Sequence, residues 1–455
     1  MGSEGLSYLS YPPESIPEAD SIEVFNRATG QLTGGPMADG GLDPLPIPSS
    51  VGDTLDINIL GGGSSLLLDM KVVPPESPPR VVRTRPKRRQ LRVPLNSSLI
   101  VIFSEPISAT TANNQNIQLL DGSNLVPSTL VRLSDGIRIE IIPEAPLRSS
   151  TTYFLSIGSG IRDLSGEALQ EPYLIDFMTV TAGAPLSNQI VFESKRSGRS
   201  EIWYMNADGS DPVQLTREVA GGVSTGPALS PDGRQVVFSV WPLGEEWEIY
   251  AVNVDGTGLR NLTNHPAFDG WRPAWSPDGG KISFFSTRDD PANDEIYVMN
   301  ADGTDVRRLT NNPADDAMST WAPDGTKIAF ETNRRGNFDI FLMNPDGTDP
   351  VPITTHPAED GWPAWSPDGT KIAFESWRDG NPEIYVMNPD GSNVVRLTYH
   401  GAFDGRPAWS RDGTKIAFES GRGGSSNIWV MNADGTDVVR LTKHWRGDFF
   451  PNWSP

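Results

Sequence analysis

The tetrad Asn-x-Asp-Gly recurs six times in the second half of this chain, closing at Gly209, Gly256, Gly303, Gly347, Gly391 and Gly435 with spacings of 47, 47, 44, 44 and 44 residues. A chain that repeats one short unit folds by stacking equal copies, because a single copy cannot bury its own apolar face. The clearest copy runs Pro363-Ala-Trp-Ser-Pro-Asp-Gly-Thr-Lys-Ile-Ala-Phe-Glu-Ser, then Glu383-Ile-Tyr-Val-Met-Asn-Pro-Asp-Gly-Ser, then Val394-Val-Arg-Leu-Thr398. It holds four short apolar runs split by turn signals. Asp-Gly between two such runs is a hairpin cue, since Gly accepts the positive φ that tight turns demand and Asp tolerates it. Four strands in a repeat of this length are the signature of a β-propeller blade.

The ends of the array fix the blade number. The first unit opens at Gln189-Ile-Val-Phe-Glu-Ser without a preceding strand, while the last residues, Phe450-Pro-Asn-Trp-Ser-Pro455, form an orphan opening strand. Its Trp453 continues the series Trp275, Trp321, Trp365 and Trp409. A ring that borrows its last strand to complete its first blade leaves no free sheet edge. The expectation is an all-β chain with a six-bladed β-propeller over residues 187–455, closed by the C-terminal strand.

The runs Trp-Ser-Pro-Asp-Gly, Ile-Ala-Phe-Glu-Ser and Ile-Tyr-Val-Met-Asn-x-Asp-Gly resemble the propeller repeats of the TolB-like (PD40, WD40-like) family. The resemblance covers the propeller only, since nothing before Ser187 reads as the alternating helices and strands that precede the propeller in TolB. It implies a periplasmic or otherwise extracytoplasmic protein that binds other proteins.

Upstream, the chain divides near Pro78. Residues 1–78 are rich in Gly, Pro and Ser, yet Ser21-Ile-Glu-Val-Phe, Asp53-Thr-Leu-Asp-Ile-Asn-Ile-Leu and Ser65-Leu-Leu-Leu-Asp-Met-Lys-Val-Val read as strands of a small N-terminal β segment. Over residues 79–182, runs such as Ser98-Leu-Ile-Val-Ile-Phe, Ile137-Arg-Ile-Glu-Ile-Ile and Thr152-Tyr-Phe-Leu-Ser-Ile predict an Ig-like β-sandwich. The phrase from Val93 to Ile107 and Leu147-Arg-Ser-Ser-Thr-Thr-Tyr-Phe-Leu are similar to bacterial Ig-like domains of surface and S-layer proteins. That likeness implies the cell exterior and a spacer or adhesive role.

Composition narrows the partners. A net charge of −21 argues against nucleic acid, which needs a positive field. With no cysteine, disulfides, thiol catalysis and Cys-ligated metals are excluded. No apolar stretch approaches the ~18 residues of a membrane span, and the first residues show no signal-peptide pattern, so a leader has been removed or the protein is not secreted. One basic cluster, Arg80, Arg83, Arg85, Lys87, Arg88, Arg89 and Arg92, reads first as the solvated opening strand and loop of the Ig-like domain, and otherwise as a contact for an acidic surface.

The loops entering the innermost strands rhyme. One repeat position is filled by Glu218, His265, Asn312, His356, His400 and His444; four residues on come Asp269, Asp316, Asp360, Asp404 and Asp448. Six-fold geometry makes this a polar ring with carboxylates near one channel mouth, its sign favouring cations or Lys/Arg-bearing peptide segments. Symmetric positions across a wide pore sit too far apart to ligate one transition metal at ~2.1 Å; calcium at Asp360, Asp404 and Asp448 is easier to accommodate. The competing reading is that these side chains cap their own loops. Phe268, Trp271, Trp362, Phe403, Trp445 and Phe449 lie in the same loops as an aromatic rim that suits sugars or a protein anchor. A second rhyme pairs Glu193, Glu331, Glu375 and Glu419 with Arg196, Arg288, Arg334, Arg378 and Arg422, whose repetition points to ion pairs tying neighbouring blades. Gly222-Val-Ser-Thr-Gly226 matches Gly-x-Ser-x-Gly but lies in a blade, without the strand-to-helix elbow that exposes a nucleophile.

These features favour a non-catalytic binding or scaffold protein of the cell envelope or exterior, with a protein or peptide segment at the channel mouth and no cofactor beyond the calcium already named. The runner-up is an enzyme or glycan binder: some lyases resembling this propeller hold a metal through channel histidines and act on acidic polysaccharide. A third reading is a structural subunit of a surface assembly.

Overall fold

A computed structural model describes residues 5–11, 21–38, 41–49, 54–61, 64–71, 78–444 and 446–453. The chain separates into two compact units, Met1–Ala182 and Gly183–Pro455. Both are built almost entirely of antiparallel strands.

In the first unit, the described N-terminal residues form a six-stranded sheet whose inner strands include Ser21–Asn26 and Thr54–Gly61. All three expected strands, the third being Ser64–Lys71, begin within a residue of where the alternation begins. The remainder of 1–78 lies outside the described residues. Two further sheets follow, one of five strands and one of four. Alternate residues of their strands, among them Leu99, Val101, Phe103, Leu119, Ile139, Ile141, Leu155, Ile157, Ile175 and Phe177, meet in one shared core. Of the basic cluster, Arg83 and Arg85 fall on Val81–Arg85, at the edge of the four-stranded sheet, and Arg92 on Gln90–Val93, at the edge of the five-stranded one; Arg80, Lys87, Arg88 and Arg89 flank these strands, and Arg83 is buried.

Among the described residues, the second unit holds six four-stranded sheets, numbered here by repeat. Sheets 5 and 6 show the pattern: Asp360–Trp365, Ile372–Ser376, Glu383–Met387 and Val395–Arg396, then Asp404–Trp409, Lys415–Ser420, Asn427–Asn432 and Val439–Arg440. Sheet 1 is assembled from both ends of the unit, with Asp448–Trp453 paired antiparallel to Gln189–Ser194.

Each repeat folds locally because its turns are encoded. In Asn388-Pro-Asp-Gly391 the glycine sits at φ 81°, its N–H donates to the Asn388 carbonyl at 2.9 Å, and the Asp390 carboxylate accepts the Ser392 N–H at 2.9 Å. A methyl group on Gly391 would also run into the Ile353 carbonyl of the preceding sheet, so glycine is required both for conformation and for close approach.

The apolar strands pack between sheets rather than within them. Phe330 of sheet 4 shares a core with Phe285 and Ile296 of sheet 3, and Phe374 of sheet 5 with Ala329 and Ile340 of sheet 4. The series continues from sheet 5 to sheet 6 and from sheet 6 to sheet 1, where Ile428 and Val430 meet Ile190, Phe192 and Trp203. Sheet 1 meets sheet 2 through Val191, Tyr204, Phe238 and Val252, and sheet 2 meets sheet 3 through Val237, Ile249, Ile282 and Phe284. Each fully buried phenylalanine in this series contributes roughly 2–3 kcal/mol.

Candidate functional site

The histidine position is a turn cap. The Nδ1 of His265, His356 and His400 accepts the backbone N–H two residues on, at 3.2, 3.1 and 3.0 Å, as the Asn312 side-chain oxygen does at 3.0 Å. Their own N–H groups donate to buried side chains at the start of the third strand: His265 to Glu248, Asn312 to Glu295, His400 to Glu383 and His444 to Asn427, at 2.8–2.9 Å. The loop is thereby tied to its own sheet.

The aspartates do not form an open ring. Asp269, Asp316, Asp360, Asp404 and Asp448 are each 0% exposed. Each faces a guanidinium: Arg288 at 2.7 Å, Arg334 at 2.8 Å, Arg378 at 2.9 Å and Arg196 at 2.8 Å, with Arg422 on Asp404. Every one of these arginines also lies over aromatic rings of its own sheet, Arg378 over Phe374 and Tyr385 at 5.6 and 4.7 Å. Burial raises the Asp316 and Asp404 carboxyls, and bonds from Arg334, Thr332, Ser420 and Arg422 oppose it. The two rhymes in the sequence are therefore halves of one device, an enclosed ion pair within a single sheet. This corrects the expected carboxylate ring. It also removes the basis for calcium at Asp360, Asp404 and Asp448, whose oxygens face guanidinium groups; among the described residues no group of three His, Asp or Glu is placed to hold a metal ion.

The glutamates, in contrast, cross between sheets. Glu331 of sheet 4 accepts the Trp362 N–H of sheet 5 at 3.0 Å, Glu375 of sheet 5 takes the Arg406 N–H of sheet 6, and Glu193 of sheet 1 takes the Thr225 hydroxyl of sheet 2. Neighbouring sheets are tied by carboxylate-to-sheet hydrogen bonds, while the arginines expected in that role stay at home.

The aromatic rim divides. Phe268 packs on Phe285 at 5.7 Å in the core between sheets 3 and 4, and Phe449 lies under the Lys195 ammonium at 4.8 Å. Trp271 is exposed and meets Trp247 edge-on at 5.4 Å, with Trp241 stacked on Trp247 at 5.9 Å. Trp362 stacks on Phe450 at 5.8 Å, and Arg406 spans Trp362, Phe403 and Phe450. Trp445 lies outside the described residues. Ser224, of the Gly-x-Ser-x-Gly match, is buried within the strand Val223–Leu229.

Of the residues at the axis, sequence reasoning singled out Trp362 alone, as part of the aromatic rim, and missed the repeat position it shares with the others. Gly226, Arg272, Met318, Trp362, Arg406 and Phe450 occupy one repeat position, and all have positive φ, between 48° and 57°. In sheets 2, 4, 5, 6 and 1 the ladder register slips at this residue, which is a β-bulge on the innermost strand. Five of the six are not glycine, at about 1 kcal/mol of backbone strain each. Strain repeated at one position marks a constrained centre.

That centre is charged. Arg406 pairs with Glu419, and the Arg272 guanidinium lies 4.8 Å from the Trp362 ring centre. Burial lifts the Glu331 and Glu375 carboxyls to about 7, opposed by the Trp362 N–H and Arg272 at Glu331 and by Arg406 at Glu375. Burial first, then the charge of Arg406, brings Arg272 down to about 10.

Beyond the bulges, where the inner strands end in Pro-Ala-Trp-Ser-Pro, the axis opens into a cavity of about 350 Å³. Arg272, Pro363, Ala364, Trp365, Pro407 and Trp409 are among its walls. Three tryptophans brace it: Trp275 Nε1 donates to the Ala228 carbonyl at 3.2 Å, Trp409 Nε1 to the Ala364 carbonyl at 3.1 Å, and Trp321 Nε1 to the Ser283 hydroxyl at 3.0 Å. The concavity thus lies at the opposite end of the inner strands from the His and Asp positions.

Comparison with known proteins fits this architecture. The model of the TolB beta propeller domain matches residues 272–362 and 352–455, and that of the bacterial Ig-like domain matches residues 75–179. A protein TolB homolog of Chlorobium luteolum is 33% identical over 142 residues, covering 22% of this chain and 32% of that protein. The Tol-Pal system protein TolB of Anaeromyxobacter dehalogenans is 36% identical over 96 residues, covering 21% of this chain and 20% of that protein. The chain thus spans a third or less of the length of these curated relatives. The crystal structure of TolB from Acinetobacter baumannii superposes with a TM-score of 0.53 at 18% identity, over 72% of this chain and 82% of that one. Among the described residues no helix is long and apolar enough to cross a membrane. The chain carries a bacterial Ig-like domain followed by repeats of the TolB β-propeller type, and it resembles TolB without being TolB itself.

Proposed function

We propose that the second unit is a six-bladed propeller closed by Asp448–Trp453, that residues 79–182 are an Ig-like sandwich, and that the chain is a non-catalytic protein-binding scaffold of the bacterial envelope or exterior. In this reading a segment of a partner protein enters the axial cavity, and the Ig-like domain serves as spacer. One observation carries it: six sheets converge on one concavity whose walls combine Pro, Ala and Trp surface with two arginines and a few hydroxyls, the mix of apolar area and a small number of polar groups that seats a peptide segment. The polysaccharide-lyase alternative draws no support from the site, because the four histidines sit in loop turns, three of them accepting a bond from their own loop.

A photo-crosslinking amino acid at Pro367 or Arg411, on the cavity wall, tests the reading against one at Asp434, an exposed turn residue outside the lining. Both wall positions are expected to capture the same protein from envelope extracts, with Asp434 capturing none. Equal capture from all three positions, or none from the wall, refutes it.

A further inference from the structure

The cavity is charged in one sense only. Its lining contains two arginines, Arg272 and Arg411, and no carboxylate, in a chain of net charge −21. Arg272 is distinctive. Arg196, Arg288, Arg334, Arg378 and Arg422 each face an aspartate, and Arg406 faces Glu419. The Arg272 guanidinium donates no hydrogen bond to any described residue; it rests over Trp362 and Phe450 and opens on the cavity. Guanidinium groups held in desolvated sites seek two parallel acceptors, and a carboxylate supplies them.

Two asymmetries place this side chain. The third repeat has one residue more between its aspartate and its tryptophan, Asp269 to Trp275, than the repeats Asp316 to Trp321, Asp360 to Trp365 and Asp404 to Trp409. The bulge residue before Arg272 in the ring is Gly226, where a methyl group would lie 3.1 Å from the Arg272 nitrogen and 3.2 Å from its Cγ. Glycine there leaves room for the arginine.

We propose that the cavity binds an acidic side chain of a peptide segment, its carboxylate held by Arg272. This rests on the protein-binding reading above and names the chemistry of the segment. A peptide is favoured over an acidic sugar by the walls. The hydroxyls of Ser319, Ser366 and Ser410 and the indoles of Trp321 and Trp409 already donate within the protein, which leaves mainly apolar surface and the guanidinium groups of Arg272 and Arg411 rather than the many partners a sugar needs. The glutamates behind Arg272 do not line the cavity. Glu331, Glu419 and Glu375 all attract Arg272, but burial raises Glu331 and Glu375 to about 7 and Glu419 is paired with Arg406, so they weaken its positive field only in part.

The probes are acetyl-Pro-Glu-Pro-amide, its Gln counterpart and galacturonate, titrated into 5-fluorotryptophan-labelled protein and followed by the ¹⁹F signals of Trp321, Trp365 and Trp409. The Glu peptide should bind roughly tenfold more tightly than the Gln peptide, as a charge-assisted bond in a desolvated site provides. Arg272→Met should abolish the difference and Arg272→Lys should keep part of it. Equal binding of the Glu and Gln peptides to the wild type overturns the proposal, whether or not the Met variant folds, and so does tighter binding of galacturonate. Wall crosslinks to a partner without Glu selectivity would leave the protein-binding reading standing and this inference fallen. Arg272-dependent Glu selectivity without crosslinks would sustain the inference and remove the protein-binding role.

Discussion

Replacing Arg378 by Met tests whether the repeated Asp–Arg pair holds each sheet together. The Asp360 side chain is fully buried and accepts two bonds of 2.9 Å from one guanidinium nitrogen, while Arg378 Nε donates to Ser376 at 2.8 Å. Arg378→Met keeps the apolar stem over Phe374 and Tyr385 but strands a carboxylate, and breaking a buried pair from one side costs about 3–5 kcal/mol. Asp360→Asn leaves the guanidinium instead. Arg378 retains 17% exposure, enough to reach water, so the cost falls to about 1–3 kcal/mol. The double variant removes both charges and should cost less than the two singles together, by about 2 kcal/mol or more. Urea unfolding followed by tryptophan fluorescence and circular dichroism at pH 8 measures all of this. Sheet 2 supplies the control: Ser224, Val240 and Pro242 stand where the other sheets have Asp, Ser or Thr, and Arg, so Ser224→Ala should shift stability by less than about 1 kcal/mol. A loss below about 1 kcal/mol for Arg378→Met at pH 8, or strict additivity of the double variant, would refute the argument.

Three further outcomes follow from the same geometry. Glu331 and Glu375 titrate near 7 when folded against 4.5 unfolded, so their contribution is complete below the lower value and lost as pH rises through the upper; Glu331→Gln should flatten that fall, by on the order of 2–3 kcal/mol in urea titrations across pH 4–8. Gly405→Ala should cost about 1–3 kcal/mol, because a methyl group there meets both the Glu375 carboxylate and the Phe403 ring, and pairing it with Phe403→Ala should show the two changes to be non-additive in thermal melts. Deleting residues 448–453 removes the Arg196 partner and the strand along Gln189–Ser194, exposing a sheet edge; light scattering should show association, and a monomeric, fully folded product would count against ring closure.

What could be read in the sequence was what is local. Asp-Gly turns, strand alternation and the orphan Phe450-Pro-Asn-Trp453 each rest on neighbours in the chain, and each predicted an element that forms. The Asp and Arg positions misled because their partners are remote. In the sequence they look like two separate rhymes, although Asp316 to Arg334, Asp360 to Arg378 and Asp404 to Arg422 keep one separation, and both members vanish together in sheet 2. That joint absence was the available signal. The bulges left none, since Arg, Met, Trp and Phe at positive φ obey no local preference and are held there by the sheets around them.

In a ring of equal sheets, what every sheet repeats is explained first by what every sheet needs. The histidine caps, the Asp–Arg pairs and the crossing glutamates recur because each copy must satisfy its own buried loop and strand groups. A ligand at the axis contacts all copies once and needs only one of them to differ. Arg272 is such a difference: an added residue in its own repeat, a glycine in the repeat before it, and a guanidinium without the hydrogen-bonded carboxylate that Arg406 and the Asp-paired arginines have among the described residues. The symmetric residues build the cup, and the residue that breaks the symmetry supplies its chemistry.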